Sequence, residues 1–342
     1  MGTSETPPFW WQKPDWRSLA LAPAAAIYAN ATRIRLARPA RVTVDLPILR
    51  VGDFAVAVPG KTQAAMAFAR AAIAFGHRPG LVCQGPSGFG NQPHRVDPVH
   101  DSARHVGEAA LEMAQVAPTI VCSDRAAAAR LLAAEGCDFL IVVDGLSAWP
   151  LKTHYSVLVV DAARGLGNER VVPAGPLRGS LTDHARAADA VLRIGSAAGG
   201  NSAVRAAARA ARPVYESRVV FRNGCDLAGK KVIAFSSIKH PQSFFEGLRE
   251  IGAELLSADH LAEGHLPPAD RLSEMLAEAV HKKALIVTTR RDMIRLQASD
   301  TELDVLKNRL VPLDIAVEFE VEANARTMID ETIAEWRRSR VG

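Results

Sequence analysis

Between residue 42 and about residue 205, short apolar runs alternate with alanine-rich stretches of helical spacing. The runs at 47–52 (PILRVG), 80–83, 119–122, 139–143 (FLIVV), 156–161 (SVLVVD) and 190–194 read as strands, with helices such as 61–75 and 124–135 between them. Strands covered on both faces read as continuous apolar runs, and a strand–helix–strand succession selects a parallel sheet with helices on its faces. The expected fold class is therefore α/β, built on a doubly wound parallel sheet. After about residue 205 a second series begins, with runs at 212–221 (RPVYESRVVF), 230–238, 253–256, 284–289 (ALIVTT) and 312–320 (PLDIAVEFE). A chain of 342 residues has apolar content enough for two cores. The small residues and two glycines of 196–212 mark the join.

Between the first strand and the first long helix stands Gly60-Lys61-Thr62. That is the place of a phosphate-binding P-loop, in which the lysine ammonium meets the β- and γ-phosphates, the hydroxyl meets Mg²⁺ and the helix N-terminus faces the anion. The candidate cradle for ATP is Ala55, Val56, Ala57, Val58, Pro59, Gly60, Lys61 and Thr62. Its chemistry is thinned: Pro59 has no N–H to offer, and Val58 resists the positive φ that a glycine adopts. One lost charge-assisted hydrogen bond costs about 1.5–3 kcal/mol, so ATP is expected to bind weakly. Asp144 closes the run FLIVVD and is the candidate Mg²⁺ ligand alongside Thr62; an aspartate there also serves as a turn former ahead of Gly145. These features divide the chain into an N-terminal segment 1–40, a P-loop nucleotide-binding domain 41–205 and a smaller C-terminal α/β domain 206–342.

Residues 1–41 hold Lys13, Arg17, Arg33, Arg35, Arg38 and Arg41 against Glu5 and Asp15, which accounts for the whole formal net charge of +4. The segment also carries Trp10, Trp11 and Trp16 and the apolar run 19–29 (LALAPAAAIYA). The run is too short to span a bilayer, and no small-residue cleavage site follows it. It suits a helix lying in a membrane interface, with tryptophans at headgroup depth and arginines on anionic lipid, or else a helix packed on the domain with a solvated basic face. Nucleic acid is not expected as a partner, because no basic stripe interleaved with aromatics continues beyond residue 41. Cys83, Cys122, Cys137 and Cys225 lack the spacing of a disulfide framework or a zinc site, as in a chain of the reduced cytosol.

The succession FWW (9–11), VGDF…GKT (51–62), VGEAALEMA (106–114), SDRAAAARLL (123–132), LIVVDGL (140–146), VLVVDAARGLGNERVVPAGPLR (157–178), AADAVLRIG (187–195), IAFSSIKHPQSFFEGLREIGAEL (233–255) and ALIVTTRRDMIRL (284–296) resembles the tetraacyldisaccharide 4'-kinases, the lipid A kinases of Gram-negative bacteria. The resemblance runs over residues 7–297, and 157–178 is its most specific part. It implies a peripheral enzyme at the cytoplasmic face of the inner membrane. Such an enzyme moves the γ-phosphate of ATP, with Mg²⁺, to the 4'-hydroxyl of a lipid A disaccharide precursor.

The chain departs from that family's pattern at its functional motifs. Gly-Gly-Thr/Ser-Gly-Lys-Thr becomes Ala57-Val58-Pro59-Gly60-Lys61-Thr62, and Ser-Arg-Gly-Tyr-Gly becomes Cys83-Gln84-Gly85-Pro86. Asp-Glu-Pro becomes Glu108-Ala109-Ala110, and the paired acids of Asp-Asp-Gly reduce to Asp144 after Val143. Asp-His-His becomes Glu263-Gly264-His265, and Thr-Glu-Lys-Asp becomes Thr289-Arg290-Arg291-Asp292. On the catalytic reading Lys61 binds phosphate, Thr62 and Asp144 hold Mg²⁺, and Glu108, oriented by His265, takes the hydroxyl proton. The alternative is a catalytically impaired paralogue that binds lipid or protein and regulates.

Overall fold

The computed structural model describes residues 6–40, 42–56, 58–86, 89–146, 151–238, 241–297 and 310–341. The strands in chain order are β1 Ile48–Asp53, β2 Pro79–Cys83, β3 His94–Arg95, β4 Thr119–Val121, β5 Phe139–Val143, β6 Tyr155–Asp161, β7 Ala190–Ile194, β8 Val214–Phe221, β9 Lys231–Ser236, β10 Glu254–His260, β11 Leu285–Thr289, β12 Leu310–Leu313 and β13 Ile315–Phe319. They form a nine-stranded sheet in the order β13-β8-β7-β6-β1-β5-β2-β4-β3 and a four-stranded sheet in the order β10-β9-β11-β12. The α/β class and the large, mainly parallel sheet agree with the sequence reading.

The chain divides into two compact units. The larger takes residues up to Arg95, Val116–Arg218 and everything from Val317; the smaller takes Val96–Gln115 and Val219–Ala316. This differs from the sequence-derived division at 205/206 in three places. The run 212–221 begins in the large sheet, where β8 pairs parallel with β7 through Val191↔Val214 and Ile194↔Ser217. The run 312–320 is broken at Asp314 into β12 of the small sheet and β13 of the large one. Segment 96–115 leaves the larger unit altogether. Periodicity identifies a strand but carries no record of the sheet it joins, which is decided by contacts far away in sequence.

In the larger unit β1 lies between β5 and β6, both parallel to it, with Val51 opposite Val143 and Val157. All six residues of β1 are buried, which is why the run is apolar almost throughout. The helix Lys61–Ala74 crosses over from β1, and Ala64, Ala65, Ala69 and Ala72 on it are fully buried together with Phe68. Small side chains on that face let the helix approach the sheet closely, so its alanines reflect packing as well as helix propensity.

In the smaller unit Ile233, Phe235, Met275, Leu296 and Ile286 fill one side of the parallel sheet, and Phe244, Leu248 and Val287 the other.

The N-terminal segment forms helices Trp16–Ala20 and Ala22–Leu36. Asp15 caps the first, accepting from the N–H groups of Arg17 and Ser18. The segment is fastened to the loop after β6: the Asn168 amide donates to Ser18 Oγ at 3.1 Å and to the Ala174 carbonyl at 3.0 Å, and the Asn168 N–H donates to the Trp10 carbonyl at 2.7 Å. No helix among the described residues is long and apolar enough to cross a membrane.

Candidate active site

The loop after β1 is built by two constraints. On its first half, the Val56 N–H donates to the Pro176 carbonyl at 2.8 Å, Ala55 bridges Leu177 antiparallel, and the Arg178 N–H donates to the Phe54 carbonyl at 2.9 Å. On its second half, Gly60 takes φ 109° as the residue before the helix. A Cβ there would stand 2.6 Å from Ile194 Cδ1, so sterics and backbone both demand glycine. No side chain caps the helix that begins at Lys61. The first-turn N–H groups of a helix have no intrahelical partners, so an uncapped start of this kind is a place where an anion can be held. Of the candidate cradle, Ala55, Val56, Val58, Pro59, Gly60, Lys61 and Thr62 lie in this loop and first turn; Ala57 falls outside the described residues.

Lys61 Nζ lies 2.8 Å from Asp53 Oδ2, and Arg178 Nε donates to Asp53 Oδ1 at 2.7 Å. Asp53 is the last residue of β1 and only 1% exposed. Two cations around one buried carboxylate leave a net positive charge. Burial pushes the pKa of nearby His184 down, and its Nδ1 lies 3.2 Å from the Ser180 carbonyl. Neither Asp53 nor Arg178 is singled out by sequence reasoning, although the argument that finds Asp144, an acid closing a buried strand, applies equally to Asp53.

Asp144 follows β5, and its N–H donates to the Val51 carbonyl at 3.1 Å. Gly52 makes this approach possible, since a Cβ there would meet the Asp144 carbonyl oxygen at 3.0 Å. Asp144 thus stands beside the strand that leads into the loop. Its Oδ1 accepts from the Gly145 N–H at 2.7 Å, which is the turn-forming role. Its Oδ2 is buried and lies 2.5 Å from Arg125 Nη2 as an ion pair. The turn is held from below by Arg50, buried on β1, which donates to the Leu146 carbonyl at 3.0 Å and the Leu151 carbonyl at 3.2 Å.

In the smaller unit Glu108 opens the helix Glu108–Ala114. Arg295 grips both of its carboxylate oxygens, through Nε and through Nη2 at 2.6 Å, and Arg291 lies 3.9 Å away. Arg291 itself donates to Glu112 at 2.8 Å, and chiefly that charge raises its pKa further. The helix Arg290–Gln297 starts with a reciprocal cap in which the Asp292 N–H donates to Thr289 Oγ1 at 3.2 Å and Thr289 Oγ1 donates to Asp292 Oδ2 at 2.7 Å. His265 is exposed, with Nδ1 3.0 Å from the Glu263 carbonyl. The structure therefore sets Glu108 against arginines and does not bring His265 into hydrogen bond with it.

The sequence profile of the Tetraacyldisaccharide-1-P 4'-kinase family matches residues 17–334. The chain belongs to this family. Tetraacyldisaccharide 4'-kinases of Brucella suis (strain ATCC 23445 / NCTC 10510) and Brucella ovis (strain ATCC 25840 / 63/290 / NCTC 10512) are each 42% identical to it over 338 residues, covering 99% of both chains. The structure of the 4'-kinase LpxK from Aquifex aeolicus, an "apo" form in complex with ATP, matches with a TM-score of 0.67 at 19% identity. That match covers 92% of this chain and 99% of that one, so the fold is shared from end to end.

Proposed function

We propose that this chain transfers the γ-phosphate of ATP to the 4'-hydroxyl of a tetraacyldisaccharide 1-phosphate, a step of lipid A biosynthesis. The observation that carries the proposal is the end-to-end 42% identity with kinases named for that reaction. The larger unit supports it by placing Lys61 at the start of an uncapped helix directly after the central strand of a parallel sheet.

In the transfer a bond forms between the 4'-oxygen and the γ-phosphorus as the bond to the β–γ bridging oxygen breaks, and ADP leaves. Lys61 and the first-turn N–H groups hold the phosphates and neutralise the charge that moves onto the leaving oxygen. Glu108 is the proposed acceptor of the hydroxyl proton. A carboxylate offers about four lone-pair positions, and Arg295 uses two, so acceptor capacity remains while the guanidinium fixes the group's orientation. Thr62 and Asp144 would hold a divalent cation: both are hard oxygen donors, and Asp144 Oδ2, paired with Arg125, is the oxygen that the Gly145 turn does not use. Mg²⁺ bound there supplies charge neutralisation at the phosphates.

The membrane reading has support in the larger unit's N-terminal helices, which expose Trp16 (72%), Leu19, Ile27 (74%) and Ile34 beside Arg17, Arg33 and Arg35. We assign this face to the cytoplasmic surface of the inner membrane, where the acyl chains of the substrate reside. Incubating the purified protein with γ-labelled ATP and a tetraacyldisaccharide 1-phosphate in mixed micelles tests the activity. Label in the lipid that disappears in Lys61→Ala is the expected result; no label from the wild-type chain would refute it.

A further inference from the structure

The geometry points to Asp53 as a positioning residue of the kinase site: its buried carboxylate fixes Lys61 and Arg178 as a preorganised cation pair for the nucleotide phosphates. The inference rests on the kinase reading and deepens it.

Each oxygen of Asp53 holds one cation. Arg178 is held by a directed hydrogen bond from Nε to Oδ1, which leaves its Nη groups uncommitted. Lys61 pairs with the other oxygen, its Nζ 2.8 Å from Oδ2. An ammonium carries three N–H donors, so the pairing with Asp53 leaves two of them for phosphate oxygens. The backbone reinforces the pairing. Arg178 is tied through its own N–H to Phe54, and Leu177 to Ala55, so the residue that carries the guanidinium is part of the wall of the loop that carries the lysine.

The pair answers a deficiency of the loop. A P-loop ordinarily presents several backbone N–H groups to phosphate. Here Pro59 has none, and the N–H of Val56 is committed to Pro176. Side-chain cations locked side by side compensate, because an anion that binds a fixed pair need not order two long side chains as it arrives. Two cations against one acid also leave the net positive charge that an anion site requires.

The opposite role for the same contacts is that of an internal anion, Asp53 competing with phosphate for Lys61. The sign of one substitution separates them. In the full-length protein, titration calorimetry with ATP, with and without Mg²⁺, compares wild type, Asp53→Asn, Arg178→Lys and the double variant. Positioning gives at least tenfold weaker ATP binding in Asp53→Asn. Arg178→Lys, which keeps the charge but not the fork, also weakens binding, and the double variant loses no more than the worse single one. In turnover, KM for ATP rises while KM for the lipid acceptor stays. Unchanged or tighter ATP binding in Asp53→Asn, or strictly multiplicative losses in the double variant, would overturn the inference. Should Asp53→Asn not fold, Arg178→Lys decides alone, and affinity equal to wild type refutes the role. A wild-type chain that binds no ATP would remove the kinase reading itself.

Discussion

Trp10 donates its indole N–H to the carbonyl of Pro173 at 3.0 Å, across 163 residues of sequence. With Asn168 bonded to Ser18 and to the Trp10 carbonyl, the N-terminal segment is part of the larger unit's structure and not a detachable tail. Deleting it would uncover the loop 166–178 and confound any binding assay. Charge substitutions on its outer face are the cleaner test. Trp16→Glu with Ile27→Glu removes two exposed apolar groups, each contributing about 1.5–3 kcal/mol when buried in lipid. The double variant should partition at least tenfold less onto anionic liposomes, with an unchanged thermal melt. Equal sedimentation with vesicles would rule out this face as the membrane contact.

The loop itself makes a second test. Replacing Val58-Pro59 by Gly-Thr returns a backbone donor and positive-φ freedom next to Gly60. Mg-ATP affinity should rise about tenfold or more, the equivalent of one charge-assisted hydrogen bond. Adding Lys61→Ala to that variant should erase the gain. An affinity that does not respond would mean that phosphate does not lie against residues 58–59.

Glu108 and Arg295 can be separated by their neighbours. Arg295→Ala strips a partner from both Glu108 and the buried Asp292, which keeps Ser236 and Thr289 as donors, so a loss of about 2 kcal/mol in stability is expected. Glu108→Gln leaves the Asp292 cluster intact and should cost about 1 kcal/mol. As the proton acceptor, Glu108 should contribute a factor of about a hundred or more to kcat. Near-normal turnover in Glu108→Gln would reduce its role to bracing two helices of the smaller unit.

His154 supplies a pH signature. Its Nδ1 accepts the Ile48 N–H at 3.1 Å inside the larger unit, and burial, aided by Lys152, pushes its pKa down to about 4. The folded state therefore resists a proton that the unfolded chain accepts near pH 6.5. Stability is intact above pH 6.5, falls as pH drops through the window from about 6.5 to about 4, and is lowered by about 2 kcal/mol at pH 5. Urea unfolding of wild type and His154→Gln at pH 7.5 and pH 5 should show a smaller fall in the variant. Parallel falls would place the acid sensitivity elsewhere.

Six strands of the large sheet are legible to within a residue, 139–143 and 190–194 without error, because buried parallel strands are unbroken apolar runs; β3, at the antiparallel edge, is not, and β8 and β13 read as part of the second series. Gly60-Lys61-Thr62 and Asp144 were legible as strand-end chemistry for the same reason. Arg178 was not, since an arginine in a loop carries no mark of the acid 125 positions away that it will meet. Nor was the grip of Arg295 on Glu108, a pairing made by chain segments 187 residues apart. Local pattern tells what a residue is attached to, and only the closed fold tells what it faces.

The last strand and helix of the larger unit have a consequence for synthesis. Ala325, Met328, Ile329 and Thr332 of the helix Glu322–Val341 are buried, and Phe319 of β13 packs edge-on against Phe68 of the helix Lys61–Ala74. At about 5–20 residues per second, everything up to Arg218 emerges from the ribosome well before these closing pieces exist. During that interval the sheet edge and the Phe68 surface stand open, while the smaller unit, complete once residue 316 has emerged, is free to fold first. A nascent chain stalled before residue 317 would thus hold its larger unit unfinished, exposed to chaperones and proteases until β13 and the helix Glu322–Val341 arrive.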